Sequence, residues 1–196
     1  MNTGIIILAA GSSSRLGRPK QLIEFQGKTL IQKAIDEAQN SSADSWVVVL
    51  GWNPELIKSG FNSSLTRYVI NENWTQGMAS SMQHGLQYLI QHENPDQVIL
   101  MLCDQPYVTA ELLNQLIFEK EQSRKGMVAC AYSKTVGVPA IFDQIYFEQM
   151  LALKVSEGAK SLILKNRLDV YEVDFPLGAV DLDTEADLNQ LKIGNA

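Results

Sequence analysis

The sequence predicts an α/β fold, a three-layer sandwich in which a mostly parallel sheet lies between two layers of helices within one domain, 1–196. Three observations carry this expectation. Short apolar runs alternate with amphipathic stretches along the chain, the order that produces crossover connections between parallel strands. The apolar runs are near-continuous in Val, Ile and Leu rather than alternating with polar residues, so each strand is to be covered on both faces. With 196 residues and a 45% apolar fraction, the chain can bury an adequate core without a disulfide or a structural metal.

The first strand is expected at 4–10, GIIILAA, where a branched run shortens to small residues before Gly11. Four more follow at 46–51 (WVVVLG), 67–70 (RYVI), 97–103 (QVILMLC) and 127–132 (MVACAY). Helical patterns fit 29–40, 54–60, 78–92, 110–124, 143–152, 158–166 and 184–192. Thr109 and Thr184 are placed to cap the helices they precede, Thr184 with Asp187 completing a capping box. The segments 136–142 (VGVPAIF) and 167–174 (RLDVYEVD) read as later strands, at an edge or antiparallel. The longest polar stretch, QNSSADS at 39–45, is a loop. Neither a repeat nor a low-complexity linker interrupts this order.

Composition excludes several classes of function. A net charge of -6 argues against a nucleic-acid footprint, which needs a basic surface, while leaving room for a local anion site. Cys103 and Cys130 lie on separate apolar segments without metal-ligand or CxxC spacing, and are expected as small buried residues in a reducing compartment. The start MNTGIIILAAG has no basic region, and its apolar run is too short for a signal sequence or a membrane span, so a cytoplasmic location is expected. His84 and His92 are eight apart with no third ligand type nearby, which makes them structural rather than metal-binding.

Against this acidic background the segment ILAAGSSSRLGRPKQL, 7–22, concentrates Arg15, Arg18 and Lys20. It follows the first strand, and ligands of open α/β sheets bind beyond the carboxyl ends of strands. Gly11 removes a side chain where the backbone turns, loop N–H groups can then face phosphate oxygens, and the basic residues add charge-assisted donors. The spacing matches neither GxxxxGK[ST] nor GxGxxG. A solvated surface loop is the competing reading.

LCDQP, 102–106, ends the fourth of these strands and places Asp104 at the same sheet edge, a hard oxygen ligand of the kind Mg²⁺ takes; Asp and Pro also favour plain turns. NENWTQGMASSMQHGL, 71–86, leads into a helix whose first N–H groups offer a second anion site, with Ser80 and Ser81 facing either the ligand or solvent and Trp74 either packing the loop or serving as a stacking platform. AVDLDTEADL, 179–188, brings Asp181, Asp183 and Asp187 before the last helix.

LAAGSSSRLGRPKQL resembles the LAAGxSxRxGxxKxL signature of nucleotidyltransferases of the MobA-like type and, within them, of the MocA-like molybdenum cofactor cytidylyltransferases. LCDQP resembles that family's DxP, LDTEADL its DxDTxxDL ending, and the 71–86 stretch its NxxWxxGMxxS motif, so the resemblance runs along nearly the whole chain. It implies a Rossmann-like, nucleotide-diphospho-sugar transferase-like fold and Mg²⁺-dependent transfer of CMP from CTP to a molybdopterin-type cofactor, with release of pyrophosphate. A molybdoenzyme or cofactor chaperone is then the implied recipient. The resemblance further implies that Asp104 and Asp183 hold the metal, that Gly11, Ser12, Arg15 and Lys20 bind the triphosphate, and that Leu8, Ala9 and Ala10 meet the base and ribose. Asn71, Gly77 and Ser81 complete the nucleotide-binding set. Lys20, Arg15 and Asp104 are the implied catalytic groups. Two departures fall in the later half: Val138 stands where the family often has His in GHP, and Ser156 where it often has an acid before GA. They leave a sugar or polyol phosphate open as the acceptor, and UTP or GTP as the donor. A non-catalytic nucleotide-binding or cofactor-delivery module is the reading from another class.

Overall fold

The structure, a computed structural model, describes residues 1–14, 16–62, 64–154 and 157–180. Its strands are β1 (Thr3–Ala9), β2 (Glu24–Phe25), β3 (Lys28–Thr29), β4 (Ser45–Leu50), β5 (Tyr68–Ile70), β6 (Gln97–Leu102), β7 (Met127–Tyr132), β8 (Thr135–Asp143) and β9 (Val170–Asp174). Its α-helices are α1 (Leu30–Asn40), α2 (Pro54–Lys58), α3 (Met78–His92), α4 (Ala110–Ser123), α5 (Phe147–Leu151) and α6 (Ala159–Lys165). The main sheet has seven strands in the order β5-β4-β1-β6-β8-β7-β9, and β2 and β3 form a separate two-stranded hairpin. Every pairing in the main sheet is parallel except those of β8, which runs antiparallel to both of its neighbours.

β1 shows why the sheet is covered on both sides. Ile5 and Ile7 belong to one core layer with Ile31 and Ile35 of α1 and Leu113 and Leu116 of α4. Ile6 and Leu8 belong to the other, with Met82, Leu86 and Leu89 of α3, Met150 of α5 and Ile163 of α6. Side chains alternate across a strand, so an unbroken isoleucine run supplies both layers at once. α3 lies so close to the sheet that a methyl group on Gly85 would stand 2.6 Å from Ile6 Cγ2 and 2.8 Å from Val49 Cγ2.

The predicted strands and helices agree with the observed ones to within a few residues, and Thr109 caps α4 by accepting from the Leu112 amide. The segment predicted as a helix over 143–152 divides into a 3-10 turn, Gln144–Tyr146, and the short α5, because Asp143 accepts from the Ile145 amide and starts the chain in a tighter turn. The two later strands separate in character. β8 is antiparallel and interior, whereas β9 is an edge strand parallel to β7. The reason lies in the Ser133–Lys134 link, where both residues have positive φ (48° and 60°) and fold β7 and β8 into a tight hairpin. Pro139 is tolerated inside the sheet because it lies where the β7–β8 register shifts and where the pairing of β8 with β6 stops, at Ala140. The β2–β3 hairpin escaped the sequence reading, since two-residue strands carry no periodicity. The expected helix 184–192 and its cap Thr184 lie outside the described residues, as do Asp181 and Asp187.

Cys103 and Cys130 are free and buried, and burial pushes the Cys130 thiol up to about 12. His84 and His92 are exposed on α3, with the His92 ring 4.4 Å from that of Tyr88. Among the described residues, no helix is long and apolar enough to cross a membrane.

Two partly buried polar links tie together the elements around the far half of the sheet. Lys120, 6% exposed, donates to Asp143 at 2.9 Å. Removing one partner of such a pair strands a charge, whereas replacing the cation by an apolar side chain does not. Asp143→Ala is therefore expected to cost about 3 kcal/mol in urea unfolding, and Lys120→Met well under half of that. Asp169 accepts from the Tyr146 hydroxyl at 2.6 Å and from the Gly126 amide at 3.0 Å. Burial by itself raises the Asp169 carboxyl, but these two bonds together with Lys125 and Lys120 outweigh it and hold the group below its usual range. Burial, then the bond to Asp169, pushes Tyr146 up to about 12. A depressed carboxylate stabilises the fold above its unfolded pKa, about 4, and loses that contribution as pH falls through the folded value. The stability gap between wild type and Tyr146→Phe should accordingly be full at pH 7 and shrink below about pH 4, measured by urea unfolding across that range.

Candidate active site

A cavity of about 360 Å³ opens at the carboxyl end of the sheet between β1 and β6. Its position follows from topology. β1 pairs with β4 on one side and β6 on the other, so the chain reverses its direction of travel across the sheet there, and the connections leave a crevice. Leu8 of β1 is in register with Leu102 of β6, and the Cys103 amide donates to the Leu8 carbonyl at 3.2 Å. The floor is thus Leu8, Ala9 and Ala10 beside Leu102, Cys103 and Asp104.

The loop after β1 forms one wall. Ser13 and Gly17 take positive φ, 52° and 70°, and turn the chain back on itself. The Leu16 amide donates to the Ser13 carbonyl at 3.0 Å, and the Lys20 amide to the Ser13 Oγ at 3.0 Å. Leu16 is buried with Ile23, Phe25 and Leu30 in a small apolar cluster that moors the outer part of the loop. Gly11 does not take positive φ. The space where its side chain would be is open, with nothing within 4 Å, and Gly11 itself lines the cavity.

The opposite wall is Trp74, Thr75, Gly77, Met78 and Ser81, the approach to α3. Gly77 has φ 100° and ψ -176°, a conformation that essentially only glycine holds, and no side chain caps the helix there. Asn71 organises this wall from behind. It is 1% exposed, donates to Ser80 Oγ at 3.0 Å and Ser81 Oγ at 3.1 Å, and accepts from the Asn73 amide at 3.0 Å. Trp74 packs against the strand end so closely that a methyl group on Gly51 would stand 2.5 Å from its Cβ.

The charged groups meet across the cavity. Lys20 Nζ lies 3.2 Å from Asp104 Oδ2, with both side chains largely shielded, while Asp104 Oδ1 is buried without a hydrogen-bond partner among the described residues. An unpartnered carboxylate oxygen beside a cavity fits a hard divalent cation such as Mg²⁺, which takes one or two carboxylates and fills its shell with phosphate and water. Among the described residues no cluster of three or more His, Cys, Asp or Glu could supply a complete cage. Asp183, the second expected ligand, and Arg15 lie outside the described residues.

The cavity therefore unites Leu8, Ala9, Ala10, Gly11, Ser12, Lys20, Gly77, Ser81 and Asp104, drawn from segments far apart in sequence. Asn71 sits behind the wall rather than in it, and Arg18 is exposed and outside the lining. The sequence reading passed over Gln21, which is 3% exposed and lines the cavity. The available signal was a glutamine followed directly by the apolar pair Leu22 and Ile23.

Gly77→Ala should cost about 1–3 kcal/mol in chemical unfolding, because a Cβ strains this backbone conformation. Hydrogen exchange of the first-turn amides of α3 is expected to accelerate along with it.

The family model of the MobA-like NTP transferase domain matches residues 5–170. Rv0371c of Mycobacterium tuberculosis H37Rv superposes with a TM-score of 0.84 at 28% identity, covering 97% of both chains. The same protein in complex with manganese superposes with a TM-score of 0.80 at 25% identity, covering 97% of this chain and 98% of that one. Nicotine blue oxidoreductase of Paenarthrobacter nicotinovorans is 30% identical over 129 residues, 65% of this chain and 61% of that protein's length. With a cavity whose loop, DQP strand end and α3 approach fall within the matched region, this chain belongs to the MobA-like NTP transferase domain family.

Proposed function

We propose that this protein transfers CMP from CTP to a phosphorylated acceptor, a molybdopterin-type molybdenum cofactor, and releases pyrophosphate. The observation that carries this reading is the cavity at the strand reversal, where Lys20 and Asp104 stand 3.2 Å apart between a glycine-containing loop and the start of a helix. Cation and carboxylate facing one space suit a reaction whose substrates are polyanions and whose metal is a counter-ion to them.

In the reaction an oxygen of the acceptor phosphate attacks the α-phosphorus of the NTP, and the bond from that phosphorus to the bridging oxygen of the β-phosphate breaks. The electron pair leaves with pyrophosphate, so no covalent enzyme intermediate forms and no nucleophilic side chain is needed. Lys20 and Arg15 bind phosphate oxygens and offset the charge that grows on the leaving group. Amides of Gly11 and Ser12 receive the β- and γ-phosphates, and the ends of Leu8, Ala9 and Ala10 border the nucleoside. Ser81 and the amides near Gly77 face the same space from the other wall. Asp104 and Asp183 would hold Mg²⁺, which when bound neutralises phosphate charge and aligns the groups. The Mycobacterium protein has been obtained as a complex with manganese, which supports a metal ion as part of the reaction. Lys20 contacts Asp104 directly, so it moves from carboxylate to phosphate as substrate and metal enter.

The oxidoreductase name of one relative does not redirect this reading. Both cysteines are buried, and burial raises both thiols above their ordinary range, which disfavours a redox role for either.

The test is to incubate the protein with Mg²⁺, each NTP in turn, and either molybdenum cofactor or a panel of sugar and polyol phosphates, measuring pyrophosphate and the mass of the product. A cytosine dinucleotide of the cofactor is expected. Pyrophosphate release with a sugar phosphate and none with the cofactor would overturn the acceptor assignment. Asp104→Asn should lower turnover at least about a hundredfold while retaining the fold and much of the NTP affinity.

A further inference from the structure

Gln21 has an unusual set of partners. Its Nε2 donates to the Ala9 carbonyl at 2.9 Å and to the Gly11 carbonyl at 2.8 Å, the last residue of β1 and the second residue of the loop that follows it. Its own Oε1 is buried and has no partner among the described residues. A buried acceptor left unpaired costs about 1–3 kcal/mol, which a leucine of similar size would avoid. The side chain is therefore explained by its two donors rather than by packing.

What those donors fix follows from the peptide plane. In a trans peptide the carbonyl of one residue and the N–H of the next point in opposite directions. Holding the Gly11 carbonyl fixes the direction of the Ser12 N–H. The Ala10 carbonyl accepts from the Trp52 amide at 3.0 Å, which fixes the Gly11 N–H in the same way. Neither of these two N–H groups has a hydrogen-bond partner among the described residues, and both residues line the cavity. Gln21 also engages two carbonyl oxygens whose negative ends would otherwise repel a polyanion.

We propose that Gln21 is a positioning residue that sets the Ser12 amide for the triphosphate and shields the ligand from the carbonyls of Ala9 and Gly11. This role rests on the nucleotidyl-transfer reading above. Gln21 touches no reacting atom; it acts through the backbone of residues 9–12.

The experiment measures binding of each NTP with Mg²⁺, and of inorganic tripolyphosphate with Mg²⁺, by calorimetry well below the melting temperature of every variant. In Gln21→Leu the affinity for the preferred NTP and for tripolyphosphate should both fall on the order of tenfold or more, as two positioning bonds are lost. Gln21→Glu adds a readout that a purely structural role would not move. Its carboxylate faces two carbonyl oxygens and repels them, whereas its protonated form restores one donor. Affinity in this variant should rise toward wild type as the pH is lowered from 8 to 5, relative to the wild-type trend over the same range. If Gln21→Leu does not fold, the pH series on Gln21→Glu decides alone. Wild-type affinity in the leucine variant, or a glutamate variant whose pH profile parallels wild type, overturns the positioning role and leaves the transferase reading standing. Failure of wild type to bind any NTP overturns both.

Discussion

The pairing of β1 between β4 and β6 is the constraint on which the rest of this molecule depends. Because β1 is central and parallel to both neighbours, its side chains feed both core layers and its carboxyl end cannot be covered by either crossover. That uncovered end is the only place on β1 where a loop, a carboxylate from the neighbouring strand and a helix start can approach one another without displacing core. The isoleucine run that makes the strand insoluble on both faces is thus also what fixes the location of the cavity.

Positive and negative groups serve different parts of that geometry. Lys20 reaches the cavity because the loop is closed at three points: the amide of Lys20 on Ser13, the apolar mooring of Leu16, and the carboxamide of Gln21 on the strand end. Asp104 arrives by register alone, two residues beyond the Leu8–Leu102 pair. The loop is built by local hydrogen bonds and the carboxylate by sheet pairing, so the two halves of the site have independent structural supports. An acidic chain can present a cation at this cavity because Lys20 is held there by local hydrogen bonds and not by the overall charge of -6.

The strand and helix positions were readable because they depend on local pattern: an apolar run of five or more residues, a threonine before a periodic stretch, a glycine after a strand. The cavity-lining residues Gly11 and Asp104 were readable from their places after apolar runs, and Lys20 from the concentration of positive charge in the loop after the first strand. The residues whose positions the pattern did not reveal share a different property. Gln21 is polar and buried because of what the strand end needs, and Asn71 faces two serines nine and ten residues on rather than the cavity. Neither requirement leaves a periodic trace.

By itself, then, the sequence determined the α/β class, the two-sided burial of the central strands and the chemical character of the loop, since each follows from residues adjacent in the chain. The tertiary structure alone decided that β8 inserts between β6 and β7 and that β9 takes the edge, because a two-residue turn at Ser133–Lys134 forces a hairpin whose partner strand is chosen by space in the sheet. It also decided that Lys20 meets Asp104, 84 positions away, and that Gln21 binds the strand end. Such contacts arise from strand order and register, which depend on the whole set of apolar surfaces packing at once and are not written in any one segment.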